Sequence, residues 1–279
     1  PMTVRIVTDS ACDLTDDEVA SYGIEIVPLS IRFGNEELID REQLSITEFY
    51  DRMATSEHLP QTAAPSPGQF DQAFRRALDG GADQVVCVNL SRKVSATMEA
   101  AEAGARDIDG DIRVLDSGSV TCGLGTIVLA AAQAASDGAS ADEITAVVAD
   151  LSARTRVYAV LDTLENLKKG GRIGNAKALL GSMLSIKPLL DFSSREVEEA
   201  GKQRTRKKAL EWLHSTVTDN ADNIDRLAIA HAMADDIDAF VAQVAADTGR
   251  NDIRVDVVGP VVASHGGPGL VGVGMVLKA

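Results

Sequence analysis

The sequence predicts an α/β protein of two domains: a parallel-sheet α/β domain over 1–154, then an α+β domain with a mixed sheet over 155–279, with a ligand cleft between them. Three observations predict it. The 279 residues are long enough for two domains. In the first half, short β-branched runs alternate with amphipathic helical stretches, the pattern of right-handed crossovers and a parallel sheet. Beyond about residue 155, neighbouring strands joined by a polar turn mix with helices.

Val4-Arg5-Ile6-Val7-Thr8 reads as the first strand, followed by Asp9-Ser10 and Asp13. Thr15 caps a helix through Tyr22, with Glu18 at the capping-box position. Ile24 to Phe33 is strand-like and interrupted by Pro28, and Ile46 to Ala54 is helical behind Ser45. Three prolines in Leu59 to Pro67 predict an irregular loop, and a helix starts at Pro67. The strand Gln84 to Asn89, a helix over 94–106, the strand Ile112 to Asp116 and an Ala-rich helix from Thr121 to Ser136 follow. A helix at about 140–154 closes the first region.

The second region reads as a strand over Val157 to Leu161 and a short helix over Asn175 to Met183. A strand from Ile186 to Phe192, broken by Pro188, pairs with Val197 to Lys202 through Ser193-Ser194. Helix 204–219, strand 226–231, helix 236–248, strand 253–258 and strand 270–277 complete the chain. In a parallel sheet ligands gather at the carboxyl ends of the strands. The loops at Asp9-Ser10, Ser91 to Ser95 and Asp116 to Ser119 fall there.

Composition excludes several classes. A net charge of −15 opposes binding to nucleic acid, which needs a basic footprint. The charge is uneven: residues 154–208 hold 13 Lys/Arg against 6 Asp/Glu, and the rest of the chain holds 14 against 36. That positive island suits an anion site or a docking face, or is a solvated helix surface. Apolar stretches fall well short of the ~18 residues that span a bilayer, so stable membrane insertion is not expected. Cys12, Cys87 and Cys122 are few, odd in number and lack zinc spacing. With no basic and cleavable apolar stretch in residues 1–8, they predict reduced thiols in the cytoplasm.

Two segments carry the chemistry. Leu167-Lys168-Lys169-Gly170-Gly171-Arg172-Ile173-Gly174 and Gly259 to Gly269 each join polar or cationic side chains to glycines, which lets backbone N–H groups approach an anion. Neither is a nucleotide motif. Gly123-Leu124-Gly125 lacks the third glycine and the acidic partner of a dinucleotide fingerprint, and close helix–sheet packing is its expected use. Among His58, His214, His231 and His265, only His265 is flanked by glycine on a loop. Thr62 and Ser95 are hydroxyls at loop–helix junctions, either helix caps or ligand contacts. Asp9 and Asp13 are expected to cap a turn and the helix after it. The apolar run Ala178, Leu179, Leu180, Met183, Leu184 reads as a tunnel wall or as ordinary core.

Taken in order, Thr8-Asp9-Ser10 with Asp13, Gln61–Phe70, Leu90–Ala101, Val114–Gly125, Leu164–Leu190, Gly201–Leu210 and Gly259–Gly272 resemble the DegV family of bacterial fatty-acid-binding proteins. Lys168 to Ile173 with Ile186 to Leu190 is the most specific block. The resemblance implies one long-chain fatty acid such as palmitate, stearate or oleate held between two domains, with no cofactor and no metal. It implies a binding subunit without catalytic machinery of its own. It implies a partner as well: a separate ATP-binding fatty acid kinase subunit that phosphorylates the bound carboxylate, in the service of phospholipid metabolism.

Carried over by residue, the carboxylate contacts fall on Thr62, Ser95 and His265, and Arg172 is the anion or phosphoryl contact. Leu180, Met183 and Leu184 are the expected acyl-tunnel wall. Lys168, Lys169, Arg172, Lys202, Arg204 and Arg206 exceed what one carboxylate can use and are expected to face the kinase. The chain departs from the family pattern at Ala63-Ala64, where members carry serine and glutamine, and at Ala96, where they carry glycine. The alternative from the residues themselves is a stand-alone enzyme acting on a small anion, with His265 as acid–base.

Overall fold

The computed structural model describes residues 2–181 and 185–279. The strands are β1 (Val4–Asp9), β2 (Glu25–Val27), β3 (Ser30–Phe33), β4 (Glu36–Ile39), β5 (Gln61–Ala63), β6 (Gln84–Asn89), β7 (Asp111–Asp116), β8 (Thr155–Val160), β9 (Lys187–Asp191), β10 (Glu198–Gln203), β11 (Ile224–His231), β12 (Arg254–Val257) and β13 (Val271–Leu277). The helices are α1 (Asp16–Tyr22), α2 (Ile46–Thr55), α3 (Pro67–Asp79), α4 (Thr97–Ala105), α5 (Thr121–Ser136), α6 (Ala141–Arg154), α7 (Glu165–Lys169), α8 (Arg206–Thr218), α9 (Ile237–Thr248) and α10 (Pro260–Gly266). Short 3₁₀ turns lie at Ser10–Cys12, Gly174–Gly181 and Ala221–Asn223.

The first region holds a four-stranded sheet in the order β2-β1-β6-β7, parallel throughout. The second holds six strands in the order β10-β9-β8-β13-β11-β12, antiparallel except for the β11–β12 pair. This is the mixed α/β architecture that the alternating pattern predicts. Local chemistry fixes many helix starts. Thr15 and Glu18 bond each other's backbone in a full capping box, and Ser45 with Glu48, Ser66 with Gln69 and Ser140 with Glu143 do the same.

Four expectations need correction. The proline-rich loop contains β5, which joins β3 and β4 in a small antiparallel sheet, with Thr62 opposite Ile31. Pro60 and Pro65 flank those three residues and so do not interrupt the pairing. Pro188 does not break β9, because β8 pairs only with Leu189 to Asp191, and the missing N–H falls outside that ladder. The helix expected over 175–183 is a 3₁₀ turn over its described part. The expected turn around His265 is instead the last turn of α10, which Pro260 opens.

Helix α5 lies between the two large sheets, touching β1 on one side and β11 and β13 on the other. Its glycines allow this. A Cβ on Gly123 would strike Ser119 Oγ and the Val157 side chain, and one on Gly125 would stand 2.7 Å from the Cys12 carbonyl. From β13, Gly274 meets Cys122 Sγ and the Gly123 backbone. The Gly-x-Gly pair thus serves close packing. The largest buried cluster runs through this helix from Val86 and Val88 to Leu190, Ala228, Ala230 and Ala263. Two further clusters lie wholly on one side of residue 155, one built on Phe70, Phe74 and Val85 and one on Leu213, Ile229 and Val273, while this largest one crosses it. Each fully buried Ile or Leu side chain there contributes roughly 1.5–3 kcal/mol.

Candidate functional site

A cavity of about 260 Å³, counted as space open to the centre of a water molecule, lies where the carboxyl ends of the parallel strands face the six-stranded sheet. Leu29, Leu90 and Val120 line it from the loops after β2, β6 and β7, as the strand-end rule predicts. From the other side Val157, Ala159 and Leu161 alternate along β8 and the residue after it, with Leu190 and Gly272 on the flanking strands. Val261 and Val262 of α10 close one wall. Most of this lining is apolar, so an aliphatic ligand would gain up to about 0.8 kcal/mol for each methylene it buries.

The polar groups are few and converge. Thr62, Ser95, Arg172 and His265 all line this one cavity, although they stand far apart in sequence and on four different elements or loops. Thr62 Oγ1 lies 2.7 Å from His265 Nε2. Ser95 Oγ lies 2.7 Å from Thr97 Oγ1 and accepts the Thr97 N–H at 3.2 Å, at the start of α4. Ala96 has φ −80°, so this turn asks for no glycine, and the departure from the family pattern costs nothing in backbone strain.

Arg172 ties the mouth together. Its Nε donates to the Val94 carbonyl at 3.1 Å, and its NH1 donates to the Gly170 carbonyl at 2.9 Å. Val94 adjoins Ser95, and Gly170 packs so tightly on the His265 ring that any Cβ there would collide with Nδ1. That contact explains the first of the two glycines before Arg172. Burial, and then the nearby Arg172 charge, push His265 down to about 4, so its imidazole is neutral at physiological pH. Its Nδ1 is buried and has no hydrogen-bond partner among the described residues.

The remaining expected residues fall elsewhere. Leu180 is 43% exposed and borders a separate surface depression with Lys168, Lys169, Leu179 and Ile186, so it does not wall the apolar cavity. Met183 and Leu184 lie outside the described residues. Arg206 takes part in a half-exposed ion-pair network with Asp162 and Asp236, at 2.9 and 2.6 Å. Lys168, Lys169, Arg172, Lys202 and Arg204 are all exposed, and Lys169 pairs with Glu165 on the surface. Among the described residues no group of His, Cys, Asp and Glu could hold a metal ion.

Sequence reasoning missed the apolar wall of β8, β9 and β13. Two signals could have found it: the alternation of Val157, Ala159 and Leu161, and a glycine at 272 inside a β-branched strand, which marks space or close approach. It also misplaced Asp13. Asp9 does cap the 3₁₀ turn, through the Ala11 N–H. Asp13 instead sits buried beneath α10, where a Cβ on Gly259 would come within 2.6 Å of its Oδ1. The loop after β6 is held from the same side: Asp9 accepts from the Leu90 N–H at 2.9 Å and the Asn89 amide at 3.1 Å.

Fold and site together define a two-sheet α/β protein with an apolar cavity that ends in hydroxyl, imidazole and guanidinium groups. The family model described as "uncharacterised protein, DegV family" matches residues 3–278, and the chain belongs to the DegV family. A DegV domain-containing protein of Streptomyces coelicolor is 36% identical over 275 residues, covering 97% of each chain. The solved structure described as fatty acid binding of a DegV family protein from Thermus thermophilus superposes with a TM-score of 0.89 at 32% identity, covering 99% of this chain and 100% of that one. A stearic acid-binding protein from Eubacterium ventriosum gives 0.89 at 26% identity, over 99% and 98%.

Proposed function

We propose that the chain binds one long-chain fatty acid, with its tail in the apolar cavity and its carboxylate at Thr62 and Ser95, in the cytoplasm. The observation that carries this reading is the pairing of an apolar cavity with a small convergent polar mouth that includes Arg172. A single anion needs no more than a few donors, and burying 14–16 methylenes offers on the order of 11–13 kcal/mol before ordering costs. The bound carboxylate is then presented to a separate ATP-binding kinase subunit, which transfers a phosphoryl group to a carboxylate oxygen and releases ADP. The exposed cations around Lys168, Arg172 and Arg204 support such a docking face.

A stand-alone enzyme using His265 as acid–base is the weaker reading. That role calls for an imidazole that titrates near neutrality and is oriented by a third group. His265 is held at about 4, and its Nδ1 has no partner among the described residues.

Mass spectrometry of an organic extract from the purified protein tests the carrier reading. A stoichiometric C14–C18 acid supports it. A clean extract, with no uptake of added palmitate, stearate or oleate, ends it. Two variants extend the test. Gly272→Leu should shift preference to shorter acids, because a Cβ there meets nothing closer than 3.4 Å and the rest of the side chain fills the cavity. An unchanged preference would place the tail elsewhere. Arg172→Ala should slow ATP-dependent phosphorylation in a reconstituted pair more than it weakens lipid binding. Equal phosphorylation rates at saturating lipid would reduce Arg172 to a structural strap.

A further inference from the structure

We propose that the β9–β10 hairpin is a flap over the acyl cavity, latched shut by polar contacts at its tip, and that fatty acid enters and leaves when it lifts. The inference rests on the fatty-acid reading above and deepens it, because a tail enclosed by packed walls needs a way in.

The hairpin is the wall with the fewest ties to the two large sheets. Leu190, Phe192 and Val197 turn it into part of the cavity lining, and Leu190 and Val197 are buried. Yet β9 pairs with β8 only through Leu189 to Asp191, and among the described residues β10 has no strand partner but β9. By contrast β13, which faces the same cavity through Gly272, is paired along its length on both sides. Toward the base of the hairpin the β9–β10 register slips between Glu199 and Gly201, and Gly201 at φ 128° takes the bend that such a slip needs. The outer edge carries the 3₁₀ turn at Gly174–Gly181, through Asn175 N–H to the Val197 carbonyl and the Asn175 amide to Glu198. That turn lies at the surface and moves with the flap.

The tip crosses to the first region and is held there by polar groups alone. Ser91 Oγ donates to the Arg195 carbonyl. Lys93 Nζ donates to the Ser194 carbonyl at 2.8 Å and pairs with Glu196 at 3.5 Å. The Arg195 side chain lies against the Gly118 backbone, 3.8 Å from Asp116 and 3.3 Å from Ser152 Oγ. Arg195 holds this place at φ 74°, a strained conformation for a residue with a Cβ. Exposed ion pairs of this kind are individually weak and screened by salt. They suit a latch that opens without unfolding its surroundings. The apolar inner face supplies the drive to close, since Leu190, Phe192 and Val197 regain an apolar contact when a tail lies beneath them.

The test ties the tip down and then frees it. A Cβ on Gly118 would stand 2.9 Å from Arg195 Cγ, so Gly118→Cys with Arg195→Cys brings two sulfurs within bridging reach. The three native cysteines are buried and do not compete. Once oxidised, this protein should take up radiolabelled oleate, and release it to excess serum albumin, at least about tenfold more slowly than when reduced. Affinity should change less than about threefold, because the closed form predominates in both states. Lys93→Ala with Arg195→Ala should act in the opposite sense, speeding uptake and release about three- to tenfold. It should also remove most of the acceleration that added salt gives wild type. Equal exchange rates for the oxidised and reduced proteins, or wild-type rates in the double alanine variant, would overturn the proposal; where the bridge does not form, the alanine variant decides. A wild type that takes up no fatty acid at all would instead sink the carrier reading, and the flap with it.

Discussion

Replacing Thr62 and Ser95 together by alanine is expected to weaken fatty-acid binding by about 10²- to 10⁴-fold while leaving the fold intact. Each hydroxyl lost to a charged carboxylate costs roughly 1.5–3 kcal/mol, and every tenfold in affinity is about 1.4 kcal/mol. The fold should survive because both side chains are half-buried at a cavity edge and are absent from the buried clusters. Ser95 does support the start of α4 through the Thr97 N–H, so some local fraying there is expected. Calorimetry with palmitate measures the effect, and thermal melts of the unliganded protein check the fold. The methyl ester of the same acid should bind wild type more weakly than the acid, and should lose less than the acid on going to the double variant. Equal palmitate affinity in wild type and double variant would mean that the carboxylate lies elsewhere.

The second large effect concerns pH. Burial raises Asp9, Asp40 and Asp256 from 3.8 to about 6, and raises Asp13 well above 3.8 with the neighbouring Asp40 and Asp256 charges adding to it. In the folded state these groups hold protons that the unfolded chain has already released. Stability should therefore be greatest near the ordinary carboxylate range and fall as pH rises from about 4 through about 6. Carboxylates held down by arginine partners, such as Asp111 and Asp150, act in the opposite sense. Their stabilisation is present above their ordinary range and is lost only as pH falls below it, and they lie at the surface, Asp111 half-exposed and Asp150 exposed, where ion pairs contribute little. Urea midpoints measured between about pH 5 and pH 7 should decline, and Asp13→Asn should flatten the decline. A midpoint that rises over that interval would show these carboxyls to be ionised in the fold.

Most of the fold was legible because its cues are local. The capping boxes at Thr15 and Ser45 and the β-branched runs of β1 and β6 specify helix starts and strands with no knowledge of the rest of the chain. What was missed depends on distant partners. Gln61-Thr62-Ala63 becomes a strand only because β3 offers it an edge, and glycines around His265 look like a turn until Pro260 starts a helix there. The site divides in the same way. Thr62, Ser95, Arg172 and His265 lie far apart along the chain, so only a family resemblance could join them before the cavity did. The apolar run placed Leu180 on a tunnel wall, but which apolar residues meet the cavity is set by tertiary packing, and Leu180 is exposed beside a separate depression.

The three cysteines offer a practical consequence. Cys12, Cys87 and Cys122 are free, fully buried, and pushed by that burial above the ordinary thiol range. Thiolates do the reacting, so all three should resist alkylation in the folded state. The natural protein is thus already a silent background for thiol chemistry. A single Ala64→Cys change, at an exposed residue on the cavity lining, would introduce one fast-reacting label beside the mouth. Its fluorescence would report ligand entry and departure in real time, with no native cysteine removed.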